Sequence, residues 1–509
     1  MRYFISLVPA ILLFACQSPS QNEAFNEPSH PQNVLIIIGD DHSTNVLGAY
    51  GNEVISTPHL DQMAQRGVRF HQAYANAPLC SASRQSFLTG RYPHATGVTL
   101  LRTSFSEEQV TLADHLKEQG YATGIIGKNH FNNQANHGFE VKIERRDYFA
   151  HREANPSREV ADSIAVRPPW KPFRDPARTW LNADALPGDS YDADDIGTWY
   201  ANQAKQFLSD HQDTSFCLVV GFHEPHSPFN FPVEYANRYN PTEMPLPAGS
   251  PEDDQWVPEI FRDLTEEERR GIVSAYYTSV EYLDKNVGLI LNQLDALGLT
   301  ENTLVVYIGD HGYLLNDHKR FEKHMMWESA VQAPLLMQAV GHIPEGQVVD
   351  PMVEFVDVVP TVLDAIQAPT LTSVQGKSLL PLISQEVDTH KDYVFSEFLA
   401  DNKAMVRSER WKYIFTTGKR DLAQGYATGN PPPGITHRLY DVVNDPNETT
   451  NLFSDPALVD TVQVLQDQLI NWFRQTHPNS NSVSQNASVE DQLITFCEPP
   501  DKDADLNAE

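Results

Sequence analysis

Uninterrupted runs of apolar residues recur through the first two thirds of the chain, and several end at a glycine that polar residues follow. Such runs are typical of strands buried on both faces, as in a parallel sheet. Segments with helical spacing alternate with them, so the pattern predicts a doubly wound, mostly parallel α/β sheet between helices. Thr57 is the predicted cap of the first helix, and Gly67 its predicted end. The predicted strands are 34–38, 122–126, 216–222, 303–308 and 334–337, and the predicted helices are 58–67, 111–120, 200–208 and 266–297.

The pattern changes near residue 393, where short strand-like segments replace the long apolar runs. They predict a small antiparallel sheet, which is followed by one helix over about 456–475. The tail beyond about Pro478 is polar and acidic, and we expect it to be loosely held.

Residues 140–195 are rich in Arg, Pro, Trp and Asp, and they predict a long irregular loop. Loops of this length inside a compact domain are usually functional, so we expect this one to form part of a substrate wall. Its aromatic side chains either stack on sugar rings or pack the loop itself. These aromatic residues are Trp170, Phe173, Trp180 and Tyr191.

The amino-terminal residues are typical of an export signal, because Arg2 precedes an apolar stretch that is too short to span a membrane. The sequence Leu-Phe-Ala-Cys at 13–16 resembles a bacterial lipobox, which implies lipidation of Cys16 and a cell-envelope lipoprotein of the outer membrane or periplasm. Plain secretion is the alternative. The predicted organisation is a signal peptide (1–16), a tether (17–32), a catalytic α/β domain (33–385), a C-terminal α+β subdomain (386–480) and an acidic tail (481–509).

The formal net charge of −31 argues against a nucleic-acid-binding protein, which would carry a basic face. It also means that an anionic substrate would need a local basic pocket. The chain has only four cysteines, so a disulfide framework is not expected. Contact with a membrane is expected only through the lipid anchor.

Acidic residues follow two of the predicted strands. Asp40 and Asp41 come after strand 34–38, and Asp310 and His311 come after strand 303–308. The carboxyl ends of parallel strands form the edge at which α/β sheets bind ligands. Adjacent carboxylates repel each other unless a cation lies between them, which indicates a metal site. The alternative is that Asp40 and Asp41 lie in a solvated turn. Three carboxylates favour calcium, with magnesium second, whereas zinc prefers more nitrogen or sulfur ligands.

Cationic residues follow the other predicted strands. Lys128 and His130 come after strand 122–126, and His223 and His226 come after strand 216–222. We therefore expect them at the same sheet edge as the acidic residues. For Lys128 a plain surface position is the alternative.

Cys80 stands at the predicted start of a short helix. Free N–H groups and the helix dipole at such a position favour an anion and lower a thiol pKa. Arg84 follows one helical turn later and can point the same way. A buried structural cysteine beside a helix cap is the alternative.

The stretch around Cys80 also closely resembles the signature of the type I sulfatases. Residues 80–84 read Cys-Ser-Ala-Ser-Arg, and Leu-Thr-Gly-Arg-Tyr-Pro follows at 88–93. Ala82 departs from the proline that is more usual at its position. The resemblance implies an alkaline-phosphatase-like fold and oxidation of Cys80 to formylglycine (3-oxoalanine). It leaves open whether a formylglycine-generating or a radical maturation enzyme acts.

The same resemblance implies a set of roles. Hydrated formylglycine would attack sulfur with one hydroxyl and later expel sulfate when the other loses a proton. One calcium ion would be held by Asp40, Asp41, Asp310, His311 and the side chain of residue 80. Arg84 would hold the diol, and Lys128 and His130 would orient it and bear a proton. His226 and Lys323 would bind the sulfate.

Residues 124–130 and 222–226 look most like the heparan N-sulfoglucosamine and uronate 2-sulfatase branches. With the lipobox, this resemblance implies a bacterial enzyme that desulfates a polysaccharide or its oligosaccharides. His94, His223 and His318 are candidates for lining the substrate site, or else packing or surface histidines.

Three other functions stay open on the sequence. A phosphate or phosphonate monoester hydrolase of the same superfamily would use nearly the same anion and metal chemistry. A sulfamidase would cleave N–S instead of O–S bonds. A non-catalytic saccharide-binding lipoprotein would keep Cys80 as a thiol.

Overall fold

The computed structural model describes residues 30–169, 177–255, 257–418 and 434–502. The strands of this described part are β1 (Asn33–Gly39), β2 (Val68–Phe70), β3 (Ala73–Tyr74), β4 (Ala122–Gly127), β5 (Val141–Ile143), β6 (Phe216–Gly221), β7 (Thr303–Gly309), β8 (Leu335–Gln338), β9 (Gln347–Val349), β10 (Val353–Glu354), β11 (Val394–Phe398), β12 (Lys403–Arg407), β13 (Trp411–Thr416) and β14 (Thr436–Asp441). Its α-helices are α1 (Pro58–Gln65), α2 (Cys80–Thr89), α3 (Pro93–Thr96), α4 (Leu112–Glu118), α5 (Arg145–Ala154), α6 (Ala177–Trp180), α7 (Ile196–Asp210), α8 (Glu259–Arg262), α9 (Glu266–Ala296), α10 (Glu328–Val331), α11 (Val358–Ala365), α12 (Leu380–Ile383), α13 (Val459–Thr476) and α14 (Val489–Phe496). The predicted signal peptide, Cys16 and most of the tether lie outside the described residues.

Strand β1 lies inside an eight-stranded sheet of order β5-β4-β6-β1-β7-β8-β2-β9. It pairs in parallel with β6 and β7, and β4 pairs in parallel with β6, whereas β8 is antiparallel to its neighbours. The register places Gly39 opposite Gly309 and Gly127 opposite Gly221. The predicted doubly wound, mostly parallel sheet is confirmed, and the residues that follow β1, β4, β6 and β7 share one edge.

The side chains of β1 are buried on both faces of this sheet. Val34, Ile36 and Ile38 pack into a core that includes residues of α2, α4 and α11. Leu35 and Ile37 pack into the opposite core, which includes residues of α7 and α9. The continuous apolar run of β1 is therefore explained by helices on both faces.

The predicted starts of two helices are confirmed. Thr265 and Thr111 each form a capping box, at α9 and α4 respectively. Thr57 precedes α1 as expected, but its hydroxyl donates to Asp61 instead of capping the helix. Helix α1 stops at Gln65 and is capped by Arg66, so its end lies within two residues of Gly67, where it was predicted. Gly67 lies so close to the Met337 carbonyl that a Cβ would be 2.1 Å from its oxygen.

The segment 140–195 is more ordered than the sequence predicts. It contains β5, α5 and α6, so the expectation of an irregular loop is wrong over these residues. Trp180 is 2% exposed and packs in a core cluster. The guanidinium of Arg158 lies over Tyr191, with its Cζ atom 3.3 Å from the centroid of the tyrosine ring. These two side chains pack the protein and do not line the cavity described below. Trp170 and Phe173 lie outside the described residues.

The C-terminal part contains the predicted antiparallel sheet, with β11, β12, β13 and β14 in consecutive order. Helix α13 packs on it, but a second helix, α14, packs beside α13, where the sequence predicts only one. The tail prediction is also wrong as far as Lys502, because Asp501 accepts hydrogen bonds from Thr99 N (2.9 Å) and Leu100 N (3.1 Å). The predicted boundary after residue 385 stays a prediction. None of the helices in the described ranges is both long and apolar enough to cross a membrane.

Candidate active site

The parallel strands bring the predicted acidic residues together at one sheet edge. Asp40 and Asp41 follow β1, and Asp310 and His311 follow β7. The backbone N–H of Asp41 donates to Asp310 Oδ1 at 2.9 Å, and His311 Nε2 lies 3.4 Å from Asp41 Oδ1. Asp41 adopts a left-handed φ of 64°, and the hydroxyl of Tyr276 donates to its carbonyl at 2.6 Å. The strained backbone of Asp41 is therefore supported from α9.

These residues suit a bound cation. Ligand atoms of Asp40, Cys80, Asp310 and His311 all lie within 4.8 Å of one another, and all four side chains are buried. Oδ1 of Asp40 is buried without a hydrogen bond. The Nδ1 atom of His311 lies 2.9 Å from the Gly312 carbonyl and donates to it, which leaves Nε2 as a nitrogen ligand. The cluster can therefore hold a metal ion.

Cys80 is the first residue of α2, as predicted, and its side chain points into this cluster. Its Sγ lies 3.2 Å from His311 Nε2 and 3.7 Å from Asp41 Oδ1. Burial raises the pKa of the Cys80 thiol well above its usual value, and Asp40 raises it further. The expectation of a lowered thiol pKa is wrong, because burial and Asp40 outweigh the lowering by Lys128 and Lys323.

Arg84 lies on the same face of α2 and connects the two acidic strand ends. Its Nε donates to Asp310 Oδ2 at 2.9 Å, and one Nη donates to the Lys128 carbonyl at 2.6 Å. The other Nη lies 3.6 Å from Asp40 Oδ1 and makes no hydrogen bond. The hydroxyl of Ser83 donates to the Asp310 carbonyl at 2.5 Å, which fixes α2 against the end of β7.

Two lysines neutralise the carboxylates. Lys128 pairs with Asp40, and Lys323 Nζ lies 2.5 Å from Asp41 Oδ1. Burial opposes ionisation of Asp40, but Lys128 and then His226 outweigh it and hold the pKa of this carboxyl well below its usual value. The pKa of Asp41 falls to about 2, because Lys323 and His226 outweigh its burial. Both carboxylates are thus ionised at neutral pH.

The predicted histidines at the site differ in their hydrogen bonding. His226 Nδ1 lies 2.7 Å from the Ser227 carbonyl, and its Nε2 lies 3.9 Å from Asp41 Oδ2. His130 Nδ1 and His223 Nε2 are buried without a hydrogen bond. Burial lowers the pKa of all three imidazoles, and Lys128 lowers it further for His130 and His223. Burial thus favours the neutral form of each ring, most strongly for His130 and His223.

A cavity of about 800 Å³ opens over these groups. Its inner end is formed by side chains that the sequence predicts, namely Cys80, Lys128, His130, His223, His226 and Lys323. Part of its wall comes from the segment 140–195, as expected, and includes Tyr148 and the exposed ring of Phe149.

Two predicted lining residues lie elsewhere. His94 is fully buried, and its Nδ1 lies 2.8 Å from Glu397 Oε2 while its ring stacks on His477. His318 stacks on Trp327 with ring centroids 3.7 Å apart and bonds to Asp253. The assignment of His94 and His318 to the substrate site is wrong, because both are packing histidines outside the cavity.

Sequence reasoning also missed several cavity residues. His324 follows Lys323, and Glu224 lies between His223 and His226, so adjacency to predicted residues was the available signal. Both oxygens of Glu224 are buried without a hydrogen bond. Other missed cavity residues are Arg102, Arg145, Arg152, Arg167, Asp189, Asp195 and Asn230.

The fold and the site together define a hydrolase of anionic esters that is built on a doubly wound sheet. Sequence comparison narrows this class. The family described as Sulfatase matches residues 32–368, and the family described as N-sulphoglucosamine sulphohydrolase, C-terminal, matches residues 316–475. The chain therefore belongs to the sulfatase family, the enzymes that hydrolyse sulfuric esters, and the predicted family is confirmed.

One relative in sequence is also a sulfatase, and two solved structures are similar in fold. The chain is 29% identical to an ulvan-active sulfatase from Formosa agariphila over 91% of this chain and 84% of that protein. A phosphonate monoester hydrolase from Silicibacter pomeroyi has a similar structure, with a TM-score of 0.73, 21% identity and coverage of 89% of this chain and 97% of that chain. A protein solved in complex with its substrate D-glucosamine-2-N,6-O-disulfate gives a TM-score of 0.69, 21% identity and coverage of 89% and 99%. These two structures show the shared alkaline-phosphatase-like fold.

Proposed function

We propose that the protein removes sulfate from a sulfated oligosaccharide or polysaccharide, with residue 80 working as formylglycine after a maturation enzyme has oxidised Cys80. The observation that carries this proposal is the position of Cys80 Sγ, 2.9 Å from Lys323 Nζ and 3.2 Å from His311 Nε2. A nucleophile at this point lies between cations and carboxylates, where an anionic ester and a metal ion would meet. The named substrates of two similar proteins, ulvan and a glucosamine disulfate, support a sulfated sugar.

We propose one calcium ion at the cluster, with magnesium as the second choice. Asp40, Asp41, Asp310, His311 and the side chain of residue 80 would hold it. Three carboxylates are the hard oxygen ligands that these ions prefer, and Asp40 Oδ1 is an unpaired buried oxygen that such an ion would satisfy. When bound, the cation would polarise the attacking hydroxyl and offset charge on the sulfate.

The hydrated aldehyde at residue 80 would supply two hydroxyls. One attacks sulfur, and the alcohol leaves while a sulfate ester forms on residue 80. Loss of the proton from the other hydroxyl breaks the C–O bond, releases sulfate and restores the aldehyde. A serine at this position would form the ester but has no second hydroxyl to drive release.

His130 and Arg84 would act on the two hydroxyls. Nδ1 of His130 is buried, unpaired and neutral, so it can accept the proton of the second hydroxyl. The Nη of Arg84 that makes no hydrogen bond can bind a hydroxyl of residue 80.

Lys128, Lys323 and His226 would bind the sulfate and its leaving group. The two lysines line the cavity beside Cys80, and their charges offset the negative charge of the transition state. Since His226 Nδ1 donates to the Ser227 carbonyl, the Nε2 of the neutral ring can accept the proton that the attacking hydroxyl loses and then pass it to the leaving oxygen.

We also propose that the protein is exported and reaches the cell envelope through a lipid on Cys16, which is its only membrane contact. This rests on the sequence of residues 1–16. Labelling with a radioactive fatty acid in the native organism tests it. A wild-type protein that carries no label, or a Cys16→Ala variant that carries as much, would contradict it.

Turnover of an aryl sulfate and of the matching aryl phosphate tests the reaction itself. We expect kcat/KM to be higher for the sulfate and to vanish in Cys80→Ala, whereas Cys217→Ala, a buried cysteine in β6, retains it. Faster turnover of the phosphate would favour the phosphate or phosphonate monoester hydrolase.

Cleavage of an N–S bond is a second candidate function, because residues 316–475 match the C-terminal family of N-sulphoglucosamine sulphohydrolase. Glucosamine 6-O-sulfate and glucosamine N-sulfate, compared at equal concentration, separate the two activities. Release of sulfate from the N-sulfated sugar alone would replace the O-sulfatase proposal.

A further inference from the structure

Three arginines line the cavity and come from the segment 140–195. Arg145 and Arg152 lie two turns apart on α5, and therefore on one face of that helix, and Arg167 lies in the chain that follows it. We refer to Arg145, Arg152 and Arg167 as the arginine wall. None of them is among the residues proposed above to bind the sulfate that is removed.

The arginine wall is bonded to neutral groups. One Nη of Arg152 donates to the Tyr148 hydroxyl (3.0 Å) and to the Asp194 carbonyl (2.6 Å). Arg167 donates to Asn230 Oδ1 at 3.2 Å. The guanidinium of Arg145 lies over the ring of Phe149, 5.3 Å from its centroid. Such contacts orient the guanidinium groups without placing a carboxylate in hydrogen-bonding contact with them.

Unpaired donors remain on this wall. The Nε atoms of Arg152 and Arg167 are buried and make no hydrogen bond. A buried N–H without an acceptor costs free energy, and its presence in a cavity wall indicates a ligand that supplies the acceptor. The bonded neighbours Tyr148 and Asn230 lie on the same cavity.

Carboxyl groups also face the cavity, and they do not form ion pairs with the arginine wall in the described part of the chain. Asp195 is engaged elsewhere, since it accepts from the hydroxyls of Ser190 (2.6 Å) and Tyr282 (2.8 Å). Asp189 is exposed, and Glu224 is buried beside His223. In a protein of net charge −31, this group of arginines is a local exception.

We propose that the arginine wall binds a second anionic group of the substrate, a carboxylate or a further sulfate, on a part of the sugar that keeps this group. The proposal rests on the proposed function, because it assumes that Lys128, His226 and Lys323 hold the sulfate that leaves. A guanidinium binds either oxyanion through paired hydrogen bonds. The protein is then selective for saccharides that carry at least two negative charges.

The test compares kcat/KM for three substrates. They are an aryl sulfate, the uronate-containing sulfated disaccharide that the wild type desulfates fastest, and the same disaccharide with its carboxyl group reduced to an alcohol. We expect Arg167→Gln and Arg145→Gln each to lose about tenfold or more on the uronate disaccharide, because a hydrogen bond to a charged group is lost. Each should change less than about threefold on the aryl sulfate and on the reduced disaccharide.

Arg146→Gln is the matched control, because Arg146 lies on the same helix but pairs with Glu144 at 3.1 Å and does not line the cavity. Equal losses on all three substrates would show that the arginines act only on the fold and would overturn the proposal. So would a wild type that prefers the reduced disaccharide and whose arginine variants lose no activity on a disulfated disaccharide without a carboxylate. If the wild type is inactive on every sulfate ester while the arginine variants fold and melt like the wild type, the proposed function itself is refuted.

A fourth substrate separates the two anions. If a disulfated disaccharide without a carboxylate shows the same arginine-dependent loss, the wall binds sulfate. If only the uronate shows it, the wall binds a carboxylate. A loss on neither would overturn the proposal.

Discussion

Lys323 Nζ lies 2.9 Å from Cys80 Sγ. The same nitrogen lies 2.5 Å from Asp41 Oδ1, so one ammonium group contacts both the proposed nucleophile and a proposed metal ligand. Burial lowers the pKa of Lys323, but the carboxylate of Asp41 outweighs it and the pKa lies well above its usual value. The lysine is therefore a fixed positive charge at the point where a sulfate would bind.

Replacing this charge tests its role. We expect Lys323→Met, which keeps the length of the side chain, to lower kcat/KM on an aryl sulfate by about 100-fold or more, since a cation at the developing negative charge is lost. The melting temperature should change little by comparison. Lys319→Met is the control, because Lys319 pairs with Asp254 outside the cavity. An unchanged rate for Lys323→Met would remove this residue from the site.

Metal content and rate should fall together when a ligand is removed. In Asp310→Asn we expect both to drop by at least about tenfold, because Asp310 is one of three carboxylates at the cluster. Replacing a residue that only hydrogen-bonds to a metal ligand already lowers metal affinity or activity by about tenfold or more. Elemental analysis of the purified protein and the aryl sulfatase rate are the measurements. After chelation, calcium should restore the rate of the wild type better than magnesium or zinc. Full metal content in the variant would refute the ligand assignment.

Asp284 gives a pH dependence of stability that does not involve the active site. Its carboxyl accepts from the backbone N–H groups of His59 (3.2 Å) and Leu60 (2.8 Å), and burial raises its pKa to about 7. Between pH 4 and 7 the unfolded chain ionises this group while the folded protein keeps it protonated, so stability falls as pH rises and levels off above about 7. The pKa difference sets an upper bound of about 4 kcal/mol, at about 1.36 kcal/mol per unit.

Asp284→Asn removes this titration. We therefore expect the melting temperature of the variant, relative to the wild type, to rise from pH 4 to pH 7 and then to stay level. Thermal unfolding at intervals across this range measures it. A difference that is constant with pH would contradict the raised pKa.

The C-terminal tail should support the cavity. Asp501 accepts from the backbone N–H groups of Thr99 and Leu100, and the next residues, Leu101 and Arg102, line the cavity. Asp501→Ala leaves these buried donors unpaired, so we expect a loss of about 2–3 kcal/mol in the free energy of unfolding and a raised KM for the saccharide. The exposed neighbour Lys502 provides the control variant Lys502→Ala. A wild-type melting temperature in Asp501→Ala would mean that the tail is dispensable.

The sheet edge could be predicted because its signal is local. The apolar runs 34–38, 122–126 and 303–308 each end at a glycine with polar residues after it, and parallel pairing then brings Asp41 and Asp310 together. Helix α5 was missed because it has almost no apolar face, with Tyr148 as its only buried residue. For the same reason its arginines, Arg145, Arg146 and Arg152, were interpreted as loop residues.

Other features depend on distant contacts that no local pattern records. His94 is held by Glu397 and the ring of His477, far along the chain. The raised pKa of Cys80 comes from its burial and from Asp40, which is distant in the sequence, whereas the helix start that predicts a lowered value is visible in the sequence. The order of the tail likewise depends on the contact of Asp501 with Thr99.

The central claim is that the side chain of residue 80 becomes an aldehyde, and the mass of one peptide tests it most directly. Trypsin releases residues 70–84 as a single fragment, because it cleaves after Arg69 and Arg84 and no lysine or arginine lies between them. In active protein purified from its native organism, we predict the mass of an aldehyde or its hydrate in place of the Cys80 thiol. A fully active preparation in which this peptide carries only the thiol would contradict the account.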